Sequence, residues 1–214
     1  MTELKAGDWV EIDFVGRIKN TNQIFDVTLA DIAKKEGIFD EKQKYKPLVV
    51  CIGKGQLLKG LDSAVQGKKA SDEFEIELQP KDAFGERDQK LLQLASINKF
   101  KEFRPVPGLQ VSVDGTMAIV KSVTGGRVIL DFNHPLAGKV LKYWVKINRI
   151  VEKTDEKIKG LLSITLGVDA EVNETEKEIT VKLGQKLEDG ATDLLKKSIE
   201  EIIPEIKKKE LKFG

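Results

Sequence analysis

Few residues of this 214-residue chain could carry out acid–base or nucleophilic chemistry. His134 is its only histidine and Cys51 its only cysteine, so a zinc finger, a disulfide framework and a histidine-based metal cluster cannot be built. A lone histidine also argues against most hydrolase mechanisms, which need a base whose pKa lies near neutrality. Gly53-Lys54-Gly55 lacks the remaining residues of a phosphate-binding P-loop. We therefore expect no metal ion and no cofactor.

The composition is that of a globular protein with no excess of either charge. The sequence holds 36 Lys and Arg residues against 35 Asp and Glu residues, and 40% of its residues are hydrophobic. A protein that is steered to nucleic acid usually carries a basic excess, so no nucleic-acid partner is expected. The sequence has no run of 18 apolar residues, which predicts no membrane span, and a single thiol suits a reducing cytoplasm.

Hydrophobic periodicity predicts the elements that would position any site. Period-two alternation predicts strands over residues 9–19, 23–27, 48–52, 72–78 and 141–147. One helix is predicted from Thr28, as its N-cap, to Gly37, and a second, amphipathic helix over residues 56–66. Residues 86–133 contain no long helical pattern after about Ala95, and their alternating runs and glycine turns predict a small all-β module.

The amino-acid composition changes from Thr154, and no aromatic residue follows until Phe213. The pattern predicts an α-β-β-α-β block: a helix, a hairpin around residues 173–175, a helix over 189–203 and a final strand over 205–213. Residues 154–214 hold 11 Lys against 14 acidic residues, whereas residues 1–153 carry a net charge of +4. We predict a separate domain that makes a homodimer through an exposed sheet edge, with docking to another partner as the alternative.

Four motifs follow one another in a fixed order. Phe14-Val15-Gly16 is followed nine residues after the glycine by Phe25-Asp26, then by the strand, turn and helix of residues 52–62, and then by Pro80-Lys81-Asp82-Ala83-Phe84-Gly85. This order resembles the FKBP-type peptidyl-prolyl cis/trans isomerases. A 48-residue insert that closes with Asn133-His134-Pro135-Leu136-Ala137-Gly138 is similar to the SlyD-like branch, and the added C-terminal block resembles the long-chain three-domain archaeal members.

The resemblance implies an α+β fold in which a curved antiparallel sheet packs on a short helix. It adds an inserted small all-β domain and a C-terminal domain of αββαβ order. The isomerase domain would comprise residues 1–85 and 134–153, the insert-in-flap chaperone domain residues 86–133, and the C-terminal domain residues 154–214.

The resemblance also implies a proline-sized apolar pocket on the isomerase domain. Its catalytic positions fall on Phe14, Phe25, Asp26, Phe84 and Tyr143. Its other pocket positions fall on aliphatic residues, namely Leu48, Leu57, Leu58, Leu61, Leu136 and Ala137. Phe14 and Phe84 stand where the family more commonly has tyrosine, so two hydroxyl groups are missing, and this bears on the affinity for substrates and for macrolide inhibitors.

Such a pocket can accelerate rotation about an X–Pro bond without an acid, a base or a metal. The planar bond carries a charge separation that water stabilises, and the twisted transition state carries less. An apolar pocket therefore disfavours the planar form relative to the twisted one. Asp26 is expected to orient the polar edge of the pocket or to face the twisting carbonyl.

The resemblance implies that the insert binds unfolded polypeptide, and we expect strand addition at a sheet edge to contribute. Six apolar residues are expected to bind it: Phe100, Phe103, Val106, Leu109, Met117 and Ile119. The expected partners are proline-containing peptides and unfolded or partly folded proteins, whose proline-limited folding would be accelerated. Because two hydroxyl groups are missing, the alternative is a non-enzymatic holdase or assembly module on an inactive FKBP scaffold.

Overall fold

The computed structural model describes residues 2–100, 103–184 and 190–214. The strands are β1 (Trp9–Ile18), β2 (Ile24–Val27), β3 (Leu48–Cys51), β4 (Glu73–Leu78), β5 (Leu92–Ser96), β6 (Gln110–Val113), β7 (Thr116–Thr124), β8 (Arg127–Asp131), β9 (Leu141–Ile150), β10 (Ala170–Glu174), β11 (Glu178–Leu183) and β12 (Glu210–Phe213). The α-helices are α1 (Ala30–Lys35), α2 (Lys59–Val65), α3 (Thr154–Leu166) and α4 (Ala191–Ile202). None of the helices in these ranges is long and apolar enough to cross a membrane.

The chain divides into two compact units, one formed by the residues up to Leu78 with Val140–Gly214 and the other by Gln79–Lys139. The first unit contains a five-stranded antiparallel sheet in the order β2-β1-β9-β4, with β3 also paired to β1. β1 is buried along nearly its whole length because neighbouring strands flank it on both sides and apolar groups cover both of its faces. The first unit also contains a three-stranded sheet in the order β10-β11-β12, in which β11 and β12 run parallel.

The C-terminal segment shares a core with the first sheet. Trp9 and Cys51 from that sheet are buried in one cluster with Ile158 and Leu162 of α3 and Ile199 of α4. Burial of this size is the main stabilising contribution to a fold. The core of residues 154–214 is therefore continuous with the first sheet. The division into three domains stays a prediction.

The second unit contains a four-stranded antiparallel sheet in the order β5-β8-β7-β6. Its own core holds Val111, Val120, Val128 and Leu130, all buried. Alternation of apolar and polar residues along these strands puts one face of the sheet into that core. The mixed α and β architecture with antiparallel sheets, expected from the sequence, is confirmed.

Three details of the predicted elements are wrong. Thr28 does not cap α1: Leu29 is the N-cap residue, and the Thr28 hydroxyl bonds to groups of β1 instead. The second helix begins at Lys59 and not at residue 56. A 3-10 turn at Pro204–Lys208 takes the first part of the predicted final strand. The predicted start of the last helix at Asp189 lies outside the described residues.

Candidate active site

Three aromatic rings meet on the five-stranded sheet of the first unit. Gly16 of β1 lies opposite Asp26 of β2 on one side and opposite Tyr143 of β9 on the other. The Phe14 and Tyr143 ring centroids are 5.9 Å apart, and those of Phe25 and Tyr143 are 5.7 Å apart, both in edge-to-face geometry. This geometry is favourable for aromatic pairs, so the strand register itself assembles the apolar centre of the predicted pocket.

The rings of Phe25 and Tyr143 lie so close to residue 16 that only glycine fits there without a clash. A Cβ atom at this position would lie 2.9 Å from Cζ of Phe25 and 3.0 Å from Cε1 of Tyr143, well inside van der Waals contact. The two rings therefore occupy the volume that a side chain would fill. The spacing of Phe14-Val15-Gly16 thus has a packing reason, since the glycine leaves room for the aromatic residues of the two neighbouring strands.

A buried polar network, which sequence reasoning missed, fixes the backbone at Phe14. The Thr28 hydroxyl donates to Oδ1 of Asp13 at 2.7 Å and accepts from the Phe14 N–H at 3.0 Å. Asn148 of β9 donates to Oδ2 of Asp13 at 2.8 Å. Asp13 and Thr28 are both buried, and a buried carboxylate is tolerated only when its oxygens have partners. The signal in the sequence was an aspartate between the apolar neighbours Ile12 and Phe14.

Asp26 lies at the edge of the aromatic group and has an exposed side chain. Surrounding protein raises the pKa of its carboxyl by desolvation, and a hydrogen bond from the Val27 backbone partly opposes that shift. Because water still reaches the group, we expect it to be ionised at neutral pH. Burial, and then the Asp26 charge, raise the pKa of the Tyr143 hydroxyl. Tyr143 therefore remains a neutral group with a hydroxyl donor beside an apolar surface.

The turn before α2 is held by side chains of its own segment. The backbone N–H of Gly53 donates to both carboxylate oxygens of Asp62, at 2.9 and 3.0 Å, and Gln56 Oε1 accepts from the Cys51 N–H at 2.7 Å. Gly53 has a φ of +79°, which favours glycine. These contacts fix the chain just before Leu57 and Leu58.

The aliphatic residues predicted for the pocket occupy different parts of the first unit. Leu57 and Leu58 are half-buried in the approach to α2, and Leu61 is buried within that helix. Leu48 is half-buried at the start of β3, where it pairs with Ile12 of β1.

A cleft of about 410 Å³ brings part of the predicted set together. It is lined by residues of the sheet, of the segment before β3 and of the C-terminal segment: Phe14, Asp26, Val27, Thr28, Lys42, Gln43, Lys44, Lys46, Leu48, Ser163, Gly167 and Asp169. Its volume falls in the range of pockets that bind small ligands. Phe14, Asp26 and Leu48 therefore share one opening.

Three predicted pocket residues belong to the second unit. The Phe84 ring stacks on His134 with centroids 4.4 Å apart and an interplanar angle of 4°. The Leu136 N–H donates to Nδ1 of His134 at 3.1 Å, and Ala137 is buried. The Gly138 N–H donates to the Gly85 carbonyl oxygen at 2.8 Å. These contacts hold Phe84 and the loop with Leu136 and Ala137 together.

The six residues predicted to bind polypeptide differ in exposure. Phe103, Val106 and Met117 are exposed at 44%, 50% and 53%. Phe100, Leu109 and Ile119 are half-buried, and the first two pack against the core of the four-stranded sheet. Leu94 on β5 is 63% exposed, and sequence reasoning missed it because it lies on an alternating strand whose faces the sequence does not assign. A cleft of about 500 Å³ in this unit is lined partly by Phe100 and Phe103.

Comparisons with known proteins agree with this architecture. Residues 1–99 match the family described as FKBP-type peptidyl-prolyl cis-trans isomerase, and residues 93–136 match the one described as FKBP26, IF domain. The short-type peptidyl-prolyl cis-trans isomerase of Methanocaldococcus jannaschii is 31% identical over 149 residues, which cover 69% of this chain and 94% of that protein. SlyD of Escherichia coli strain K12 is 31% identical over 142 residues, covering 62% of this chain and 71% of SlyD.

The chain belongs to the family of FKBP-type peptidyl-prolyl cis-trans isomerases. The family resemblance drawn from the ordered motifs is confirmed, and the SlyD relatives agree with the branch that it indicated.

Proposed function

We propose that this protein accelerates cis/trans isomerisation of X–Pro peptide bonds in the pocket around Phe14, Phe25 and Tyr143. The observation that carries the proposal is the aromatic group packed over Gly16, which offers an apolar surface without a nucleophile. The uncatalysed barrier is about 18–20 kcal/mol, and each ~1.4 kcal/mol removed from it raises the rate about tenfold. Family membership supports this activity.

The remaining predicted residues complete the proposal. Leu48, Leu57, Leu58 and Leu61 would supply aliphatic surface for the proline ring and its neighbours. Phe84, Leu136 and Ala137 would have the substrate-binding roles that the family resemblance implies. Asp26 would orient the substrate or face the twisting carbonyl, since it lies opposite Gly16 and is partly desolvated. No cofactor is required for any of these roles.

The test is exchange spectroscopy on an Ala-Pro peptide with the wild type and with Asp26→Ala. We expect the wild type to accelerate exchange and the variant to do so less well. Asp31→Ala is the matched control, because Asp31 is an exposed carboxylate in the first turn of α1. Wild-type protein that does not accelerate exchange over buffer would contradict the proposal and favour the holdase alternative, which the missing hydroxyls of Phe14 and Phe84 motivate.

We also propose that the second unit binds unfolded polypeptide and delivers its prolines to the pocket. Four exposed apolar side chains support this role: Leu94, Phe103, Val106 and Met117. β5 and β6 are the edge strands of the four-stranded sheet, so each offers backbone groups for strand addition. Because both units belong to one chain, binding to the second unit raises the effective concentration of prolines at the pocket, which favours protein substrates over short peptides.

Two assays separate the two activities. We expect Phe103→Ser/Val106→Ser/Met117→Ser to slow catalysed refolding of a proline-limited protein substrate while retaining activity on the Ala-Pro peptide. Leu194→Ser is the matched control, because Leu194 is 70% exposed on α4, outside the second unit. Equal losses on both substrates would contradict the division of labour between the units.

We propose that the C-terminal sheet makes the protein a homodimer. β10 and β12 are the edge strands of this three-stranded sheet, which supports pairing with a second copy. Sedimentation that shows a monomer at high concentration would contradict the dimer and leave docking to another partner. We further propose a cytoplasmic location, which suits the one buried free thiol of Cys51.

A further inference from the structure

The cleft beside the aromatic group has a wall that the isomerase motifs do not supply. Phe14, Asp26 and Leu48 line one part of it, and Ser163, Gly167 and Asp169 of the C-terminal segment line another. The two parts lie more than a hundred residues apart in the chain. The opening at the proposed site is therefore bounded partly by residues that follow the last strand of the five-stranded sheet.

Close helix–strand packing holds that wall in place. Gly160 of α3 lies against Val49 of β3, so closely that an added Cβ atom would be 2.7 Å from Val49 Cβ and 2.8 Å from its carbonyl oxygen. Val49 directly follows Leu48, which lines the cleft. Gly167 then ends α3 in the left-handed conformation at φ +68°, and two residues later Asp169 reaches the cleft.

Asp169 joins the C-terminal segment to the segment before β3. Its two carboxylate oxygens contact the ammonium groups of Lys44 and Lys46, which are 125 and 123 residues away in sequence. Lys42 lines the same cleft. The three lysines are exposed, so their charges are available to a bound molecule.

We propose that this cleft receives the residues that flank the isomerising proline, and that Lys42, Lys44 and Lys46 select substrates with acidic flanking residues. Asp169 acts as a positioning residue that holds Lys44 and Lys46 and moderates their charge. The inference rests on the proposed isomerase function, since it concerns the substrate preference of the same site.

The charges of the cleft support an acidic preference. Its three lysines face two carboxylates, those of Asp26 and Asp169, which leaves a positive excess. Exposed ion pairs are weak, so we expect an acidic residue near proline to raise kcat/KM about two- to fivefold over a basic one. The preference should shrink at high salt because the charges are exposed.

The experiment measures kcat/KM on peptides that carry Glu, Gln or Lys two residues from an Ala-Pro bond. Each of these residues is tested in turn before the bond and after it. The wild type should prefer the Glu peptide over the Lys peptide. Lys44→Gln/Lys46→Gln should reduce that ratio, and Asp169→Asn should increase it, since the variant frees two lysines. The ratio, rather than the absolute rate, is the readout, so a general loss of activity does not imitate the effect.

Lys207→Gln/Lys208→Gln is the matched control, because it removes the same charge from exposed residues that do not line the cleft. The inference is overturned if the wild type has a Glu-to-Lys ratio of kcat/KM near one. It is also overturned if neither cleft variant changes that ratio more than this control does. In both cases, activity on the Gln peptide would still support the isomerase function. If the wild type accelerates isomerisation of none of the peptides, both the inference and the proposed isomerase function are overturned.

Discussion

Replacing Gly16 by alanine tests the packing on which the proposed pocket depends. The new Cβ atom would lie 2.9 Å from Phe25 Cζ and 3.0 Å from Tyr143 Cε1, where ordinary contacts begin at 3.4 Å. The rings must therefore move by about half an ångström, and Phe25 is the easier one to move because it is only half-buried. The φ of Gly16 is not positive, so alanine causes no backbone strain there.

The expected effects on stability and on activity differ in size. Overpacking costs about 1–3 kcal/mol. Replacing glycine in a strand stabilises the fold by about 0.5–1 kcal/mol, because alanine loses less conformational entropy on folding. We therefore expect a net loss of about 0–2.5 kcal/mol in the free energy of unfolding. Displacing a ring that is proposed to bind proline should lower kcat/KM about ten- to a hundredfold.

Urea unfolding and exchange spectroscopy on the Ala-Pro peptide measure the two effects separately. Gly184→Ala is the matched control, because among the described residues, its chain neighbours aside, no atom lies within 4 Å of a Cβ built at that position, and its φ is not positive. It should leave both quantities near the wild-type values. A Gly16→Ala variant with wild-type kcat/KM would refute the reasoning, since the two rings would then not need the space that glycine leaves.

Three further predictions concern the contacts around the site. Thr28→Val should lower the free energy of unfolding by about 1–3 kcal/mol in urea titrations, because it removes the hydroxyl that bonds to Oδ1 of Asp13 and to the Phe14 N–H, while Asn148 still bonds to Oδ2 of Asp13; no change would show that water replaces the hydroxyl. Gly160→Ala should lower Tm by about 2–4 °C, since the clash with Val49 outweighs the gain in helix propensity by about 1 kcal/mol. An unchanged or higher Tm would contradict the close contact between Gly160 and Val49. Lys44 and Lys46 lower the pKa of Asp169 from 3.8 to about 2, so the ion pairs stabilise the fold at pH values above about 4 and that contribution is lost as the pH falls through 2. In an NMR titration, Lys44→Gln/Lys46→Gln should return the Asp169 midpoint toward 3.8, and an unchanged midpoint would exclude the contacts.

The central part of the site could be predicted because its residues recur at short, ordered spacings. Gly16 and Phe25-Asp26 lie on two strands joined by a short turn, so the register of one hairpin sets their relation. Family resemblance then added Tyr143, whose strand is far away in sequence. The structure brings these residues together around Gly16, and their catalytic roles remain a proposal.

What the sequence could not supply are contacts that depend on tertiary packing. Thr28 has the residue type of a helix N-cap, and the sequence does not reveal that a buried Asp13 competes for its hydroxyl. Asp169 meets Lys44 and Lys46 across more than a hundred residues, with no local pattern that links them. Gly160 inside a helix pattern gives no sign that its missing side chain lets α3 approach β3.

The burial of β1 has a consequence for the order in which the protein can fold during synthesis. β1 is complete by residue 18, but its neighbour β9 starts at residue 141. At a translation rate of about 5–20 residues per second, β9 is made about 6–25 s later. The cluster that buries Trp9 is completed later still, because it includes Ile206 and Leu211.

Throughout that interval β1 can pair with β2 and β3, but its other edge lacks the partner strand β9. The unit formed by Gln79–Lys139 has all four of its strands and its own core, so it can fold on the ribosome before the central sheet closes. The five-stranded sheet can be completed only once β9 has been made, after the whole of the second unit. The sheet that carries the proposed pocket can therefore form only after the unit that is proposed to bind unfolded polypeptide.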